Sequence, residues 1–194
     1  MESAFRQFVG AKSLAEAWSP ENAGKRAEKE LICCVTNLFD FDSLCLNASP
    51  EQMARTLDGY YAMIADAVLQ TGCNVDHFEG PAIVSFYGTP QPIDDRESLI
   101  AKIVPILDKA RASVETAFGV RVGLGLCGGK LVYGHFGGRD RATVTAFRPA
   151  AICARRLAES GDSINLCEHM VAGSSQPKIL GNAFVSVRPH CQNV

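Results

Sequence analysis

The sequence predicts an α+β fold, a mixed sheet built on a ferredoxin-like βαββαβ core with helices packed on one face. Apolar runs of strand length alternate with long segments of helical period, and glycine and proline mark their boundaries. The elements follow the order β-α-β-β-α-β before further strand and helix signals. The chain of 194 residues suits one domain of ordinary size. We divide it into a helical lead-in, residues 1–28, and a single unit, residues 29–194.

The first strand and the first long helix have clear local signals. Residues 30–37, ELICCVTN, form an apolar run of strand length. The next long segment predicts a helix with Ser49 as N-cap, Pro50 at the first helical position and Gly72 just past the end. Its apolar residues recur at helical spacing and are expected to pack: Met53, Leu57, Tyr60, Tyr61, Ile64, Ala67 and Val68.

The remaining elements follow in order. NVDHFEG and AIVSFYG predict a hairpin across Gly80 and Pro81, and RESLIAKIVPILDKARASVETAF predicts a helix bent at Pro105. VRVGLGLCGG and KLVYGHFGG predict a second, glycine-punctuated hairpin, so we interpret GLCGGK as a hairpin bend and not as a phosphate loop. A third helix is expected to begin near Pro149, and INLCEHMVAG and AFVSVRP follow with weak signals.

Composition argues against several kinds of partner. The net charge is −2 and no block of like charges stands out, so neither nucleic acid binding nor contact of this segment with a membrane is expected. No stretch approaches the ~18 continuous apolar residues of a membrane span. We expect a cytoplasmic protein.

The cysteines are expected to be small buried hydrophobic residues in a reducing cytosol, because they show neither a CxxC pair nor a zinc-ligand spacing. On a strand, the adjacent pair Cys33 and Cys34 would point to opposite faces, both within the core. The full set is Cys33, Cys34, Cys45, Cys73, Cys127, Cys153, Cys167 and Cys191.

Four segments together carry a resemblance to a known family: SPEQMARTLDGYYAMIADAVLQTGCNVDHFEG, IVSFYGTP, VRVGLGLCGGKLVYGHFGG and CARRLAES. In this order and spacing, from about residue 30 to residue 172, the chain resembles the catalytic domain of class III nucleotidyl cyclases, the adenylate and guanylate cyclase family. The resemblance implies a core elaborated as in those domains, so that residues 29–194 would be a cyclase-homology domain. FRQFVG in the lead-in resembles the helix that feeds signals into them.

In this family, two aspartates hold two divalent ions, which activate the ribose 3′-hydroxyl and neutralise the triphosphate. Counting back without gaps from Ser49 places Asn37 at the first aspartate. The second aspartate follows a glycine at the hairpin turn, where this chain has Gly80 and Pro81. An amide and a proline cannot replace two carboxylates as magnesium ligands.

The other family positions are partly kept. The lysine that reads the purine falls on His77, and its partner falls on Thr145, where active members also use threonine. The asparagine that orients the ribose falls on Ile152, which has no side-chain hydrogen-bonding group. The arginine that stabilises charge on the phosphate is kept as Arg156, which is either a remnant anion site or a helix arginine paired with a carboxylate such as Glu159.

The resemblance therefore implies a catalytically inactive domain without a cofactor, which acts as a dimerising regulatory module in intracellular cyclic-nucleotide signalling. The partner would be a second copy or another cyclase domain. The family's sites lie at the interface of head-to-tail dimers, and this chain lacks the lysine and asparagine as well as the aspartates, so it would fail as either half. The segment could be the cytoplasmic part of a larger, membrane-attached protein.

Two alternatives stay open. Asp40 and Asp42 lie two apart after the first strand, so on an extended segment they would face one way and could hold Mg²⁺ or Mn²⁺ in a divergent active cyclase. Otherwise they belong to a solvated loop. The second alternative is a small-molecule sensor that kept the cleft and lost the metals, in which His77 binds a ligand instead of being a polar residue on a half-exposed strand.

Overall fold

The structure is a computed structural model that describes residues 25–89, 91–138, 142–147, 149–161, 164–167, 170, 178–180 and 183–188. The predicted helical lead-in lies outside the described residues as far as residue 24. Its last residues belong to the first strand, which begins at Arg26.

Eight strands and four helices lie within the described ranges. The strands are β1 Arg26–Leu38, β2 Asn74–Glu79, β3 Ala82–Tyr87, β4 Val122–Gly137, β5 Ala142–Phe147, β6 Ile164–Cys167, β7 Lys178–Leu180 and β8 Ala183–Arg188. The helices are α1 Phe41–Asn47, α2 Pro50–Gln70, α3 Arg96–Phe118 and α4 Pro149–Glu159.

The predicted α+β fold is confirmed. The strands form one mixed sheet in the order β2-β3-β1-β4-β6-β8-β7, and β5 pairs with the second half of β4. The first four strands of this order are antiparallel neighbours and carry the ferredoxin-like core. The sheet then continues with the parallel pairs β4–β6 and β6–β8 and closes with β7 antiparallel to β8.

The two long helices begin and end where the sequence predicts. Ser49 and Gln52 form a capping box at the start of α2, with Pro50 as the first helical residue. The Asp95 side chain accepts hydrogen bonds from backbone N–H groups of the first turn of α3. Gly119 ends α3 at φ 66°, a left-handed conformation that glycine adopts without strain.

The predicted hairpin within residues 121–138 is wrong. These residues form one long strand, β4, and β1 pairs with it continuously from Leu38↔Val122 to Arg26↔Gly134. Gly128 and Gly129 are therefore inside the ladder, opposite Ile32 and Leu31, and do not form a bend. The hairpin lies further on, where β4 turns into β5 and Gly137 pairs with Ala142.

The helices lie on both faces of the sheet, so the prediction of a single helical face is also wrong. The Thr36 hydroxyl in β1 forms a hydrogen bond with the Tyr60 hydroxyl of α2, and the two oxygens lie 2.9 Å apart. The opposite face of the β1–β4 ladder faces α4. A Cβ atom added to Gly125 of β4 would lie 2.1 Å from the carbonyl oxygen of Ala154 in α4. Because side chains alternate across a strand, α2 and α4 pack on opposite faces.

The core is apolar and includes most of the cysteines, as expected. Cys33 and Cys34 are 0% and 1% exposed, and burial raises the pKa of the Cys34 thiol to about 12. Of the described cysteines, Cys45 alone is exposed. In the part of the chain that the structure describes, no helix is both long enough and apolar enough to cross a membrane.

The contact between β4 and α4 leads to a stability prediction. We expect Gly125→Ala to lower the free energy of unfolding by about 3 kcal/mol, because the added methyl group overlaps backbone of α4 and the helix must move away. Gly161→Ala is the control, since a Cβ atom there meets nothing within 4 Å, and we expect a change below about 1 kcal/mol. Urea denaturation measures both, and equal effects would contradict the packing described here.

Candidate functional site

The end of β1 and the β2–β3 turn meet at one edge of the sheet, where the family would hold its metals. Asn37 pairs with Ala82 across the β1–β3 ladder, and the backbone N–H of Leu38 donates to the carbonyl oxygen of Pro81 at 2.9 Å. The structure thus brings Asn37 and Pro81 together. Neither side chain offers a carboxylate, so this edge does not fit a pair of magnesium ions.

Two tyrosines of α2 fix this turn. The hydroxyl of Tyr60 donates to the carbonyl oxygen of Pro81 at 3.1 Å, and that of Tyr61 donates to the carbonyl oxygen of Gly80 at 2.5 Å. Tyr60 is fully buried, and burial raises the pKa of its hydroxyl. The prediction that these tyrosines pack is confirmed, and their hydroxyls also hold the turn in place.

Asp40 and Asp42 do not lie on an extended segment. Asp40 has left-handed backbone, φ 56°, and precedes helix α1, whose first turn contains Asp42. Aspartate tolerates this left-handed conformation more readily than most residues other than glycine, so Asp40 can occupy it. Its carboxylate accepts a hydrogen bond from Arg121 at 2.9 Å, and the Arg121 guanidinium lies 5.3 Å from the centre of the Phe39 ring.

Among the described residues, no group of three or more histidine, cysteine or carboxylate side chains converges at this edge. A convergent group of this kind is found in the core, and it consists of cysteines. The segment that contains Asp40 and Asp42, predicted as either a metal-binding or a solvated loop, is therefore the start of a short helix. Asp40 forms an ion pair with Arg121.

A cleft of about 410 Å³ opens on the α4 face of the sheet, beside this edge. It contains three of the positions predicted from the family pattern: His77, Thr145 and Ile152. Its floor and walls are largely apolar, and charged side chains stand at its rim. The lining residues are Val35, His77, Glu79, Val84, Phe86, Thr143, Thr145, Ala146, Phe147, Ala151, Ile152 and Arg155.

A chain of polar contacts crosses the cleft. The Thr145 hydroxyl donates to the Asp76 carboxylate at 2.6 Å, and the same carboxylate oxygen lies 2.7 Å from Nδ1 of His77. On its other side, Nε2 of His77 lies 3.4 Å from the Glu79 carboxylate, which also accepts a hydrogen bond from Arg155. His77 thus bridges two carboxylates that lie in different directions, so the three groups do not surround one point.

The shape of β2 explains why Asp76 and His77 meet. The β2–β3 register shifts between Val75 and His77, which makes Asp76 the extra residue of a β-bulge. In a regular strand the two side chains would point to opposite faces. The sequence pattern does not indicate that Asp76, Glu79 and Arg155 belong to the cleft. Its only signal is a strand segment with three ionisable residues, DHFE.

The charges at the rim stabilise one another. The hydrogen bond that the His77 imidazole donates to the Asp76 carboxylate raises the pKa of His77 above its usual range, although burial opposes the shift. Burial would raise the pKa of Glu79, but the Arg155 guanidinium and His77 together hold it below its usual range. The site therefore favours a protonated imidazole between two ionised carboxylates.

Arg156 lies outside the cleft lining. Ile152 and Arg156 are one turn apart on the exposed side of α4, and Ile152 is 50% exposed. Within the described ranges, no ion pair joins Arg156 to Glu159, the carboxylate given as an example for one of the two predicted roles of this arginine. The arginine that the structure places at the cleft is Arg155, its neighbour.

The histidine allows a prediction about protonation. We expect the pKa of His77 to lie above 6.5, and Asp76→Asn to lower it more than Glu79→Gln does. Since the folded-state pKa is raised, the contribution of His77 to stability is present below pH 6.5 and is lost as the pH rises through the folded-state pKa. NMR titration of the imidazole measures this, and a pKa at or below 6.5 would contradict the described contacts.

Comparisons with known proteins give structural likeness alone. No family model matches the chain, and no curated protein matches it. Among solved structures, the guanylyl cyclase Cya2 superposes with a TM-score of 0.63 at 21% identity, over 78% of this chain and 81% of that one. A non-canonical dimeric guanylyl cyclase domain of the RhoGC fusion protein from the aquatic fungus Blastocladiella emersonii gives a TM-score of 0.58 at 17% identity, over 71% of this chain and 76% of that one.

A third structure is a class III adenylyl cyclase-like ATP-binding protein from Pseudomonas aeruginosa. It superposes with a TM-score of 0.64 at 13% identity, over 78% of this chain and 37% of that one. The chain therefore has the fold of the class III nucleotidyl cyclase catalytic domains.

Proposed function

We propose that this chain is a catalytically silent cyclase-homology domain, which acts by dimerisation as a regulatory module in intracellular cyclic-nucleotide signalling. One observation carries the proposal: Asn37 and Pro81 occupy the edge at which the fold would hold its metals. The backbone of that edge is held together by hydrogen bonds, and the hydroxyls of Tyr60 and Tyr61 hold the turn between β2 and β3. The carboxylates are missing.

The missing carboxylates matter because of the charge on the substrate. A nucleoside triphosphate needs metal ions or several cations to neutralise its phosphates and to activate the attacking hydroxyl. The cleft instead places Asp76 and Glu79 beside His77 and Arg155, so its local charges already cancel in ion pairs. Asp40 is paired with Arg121 and would have to leave it to bind a metal.

Pairing with an active partner would not complete the site. The partner's half of a shared site needs a base-reading cation and a ribose-orienting amide from this chain. His77 is held between two carboxylates, and Ile152 has no hydrogen-bonding group. We therefore infer that a partner domain is bound for regulation and not for catalysis in a shared site.

Exposed apolar side chains at the cleft support dimerisation. Phe147 and Ile152 both line the cleft and are 53% and 50% exposed. Large apolar groups at an exposed cleft are typical of surfaces that bind another protein. The partner is a second copy of this chain or another cyclase domain, and one of the similar structures is described as a non-canonical dimer.

The cleft itself favours a second candidate function, a ligand sensor without turnover. Its volume of about 410 Å³ is in the range of small-molecule sites, and apolar walls with a few polar groups are typical of them. One of the similar structures is named as ATP-binding. A ligand-dependent rise in melting temperature without any product would support this function.

Product analysis tests the catalytic part of the proposal. We expect no cyclic nucleotide when the purified protein is incubated at high concentration with ATP, GTP, CTP or UTP, in Mg²⁺ or in Mn²⁺, and analysed by mass spectrometry. The physical reason is the lack of carboxylate ligands at Asn37 and Pro81.

Variants identify the source of any product that does form. A product that survives Arg155→Ala, Arg156→Ala and Asp40→Ala alike comes from a contaminating enzyme. A product that is lost in Arg156→Ala and in Asp40→Ala would contradict the proposal and indicate a divergent cyclase.

Sedimentation analysis tests the dimer. We expect Phe147→Asp to raise the dimer dissociation constant at least about tenfold, because it places a carboxylate in an apolar interface. Leu69→Asp is the matched control, since Leu69 is 52% exposed but lies on α2, on the opposite face of the sheet. A monomeric wild-type protein, or equal effects of the two substitutions, would contradict dimerisation through the cleft face.

A further inference from the structure

Three buried cysteines meet between the sheet and α4. Cys127, Cys153 and Cys167 are each 0% exposed, and their three Sγ atoms lie within 4.8 Å of one another. The Sγ atoms of Cys153 and Cys167 are 3.8 Å apart. Cys127 and Cys153 are 26 positions apart in sequence, and Cys153 and Cys167 are 14 apart, so no short ligand motif predicts the cluster.

The fold, and not local sequence, brings them together. Cys127 in β4 is on the same side of the strand as Gly123 and Gly125, which contact α4. Cys153 is on the buried side of α4, and Cys167 is in β6, the parallel neighbour of β4. Three separate elements thus each supply one sulfur to the same small space.

We propose that Cys127, Cys153 and Cys167 form a binding site for one soft, thiophilic metal ion, with cuprous copper as the best match. Thiolate sulfur selects cuprous copper, zinc and iron–sulfur clusters over harder ions. With metal–sulfur distances of about 2.3 Å, two thiolates of one site lie about 3.8 Å apart in tetrahedral geometry and about 4.0 Å apart in trigonal geometry. The Cys153–Cys167 separation therefore needs little adjustment to hold an ion.

The number of ligands distinguishes copper from zinc. A structural zinc ion takes four ligands, and the cluster contains three among the histidine, cysteine and carboxylate side chains of the described residues. The sulfurs are closed off from solvent, so water does not readily supply the fourth ligand. Cuprous copper is stable with three sulfurs alone.

Proton release accompanies binding. Each thiol that becomes a ligand passes its proton to solvent, and the affinity for metal should rise with pH. Because the site is closed in the folded protein, we expect the ion to enter while the chain folds.

The test compares metal uptake during refolding. The full chain is reduced, unfolded in guanidinium with a chelator, and refolded anaerobically with cuprous ion or with Zn²⁺, and native mass spectrometry counts bound ions after desalting. We expect one cuprous ion per chain, and X-ray absorption should show three sulfur ligands. One zinc ion bound by the same cysteines would support the site but assign it to zinc.

Matched variants complete the test. We expect Cys153→Ala to lower metal content at least about tenfold, whereas Cys73→Ala, which removes a buried thiol outside the cluster, should leave it unchanged. If Cys153→Ala does not refold, the sulfur count of the wild-type protein decides. A wild-type chain that refolds without metal, a metal ion with fewer than three sulfur ligands, or full loading of a folded Cys153→Ala variant would overturn the proposal.

Discussion

The close contact between strand β4 and helix α4 is the constraint on which the rest of this structure depends. Gly123 and Gly125 have no side chains, and the helix backbone occupies the space where Cβ atoms would lie, 2.0 and 2.1 Å from carbonyl oxygens. At this distance the helix has little freedom to rotate or slide. The contact therefore fixes the side of α4 that meets the cleft, the side that reaches solvent, and the position of Cys153 in the core.

Features encoded by nearby residues could be predicted from the sequence, and features that depend on pairing could not. The limits of α2 follow from Ser49, Pro50 and Gly72, and the sequence places them correctly. The Asp76 bulge reverses the strand alternation on which the prediction of β2 rests. Likewise, glycines that normally indicate a turn lie within β4 because a 13-residue β1 holds them in a ladder.

In the candidate site, the backbone positions could be predicted, but the polar contacts between side chains could not. The family resemblance, and not local sequence, predicts that Asn37 and Pro81 lie together, and the structure agrees because the β1–β3 ladder pairs Asn37 with Ala82. The polar network of the cleft could not be foreseen, because it joins β2, β5 and α4 across long sequence separations. The result is a cyclase-like cleft whose carboxylates, Asp76 and Glu79, form ion pairs with His77 and Arg155.

Binding of Mn²⁺ to the folded protein tests most directly whether the sheet edge formed by Asn37 and Pro81 can hold metal ions. In an electron paramagnetic resonance titration with a nucleoside triphosphate present, we predict no more bound Mn²⁺ than the nucleotide alone retains. The variant Asn37→Asp with Pro81→Asp is the companion sample, because it returns carboxylates to both positions. Stoichiometric Mn²⁺ binding by the wild-type chain that disappears in Asp40→Asn or Asp42→Asn would contradict the account.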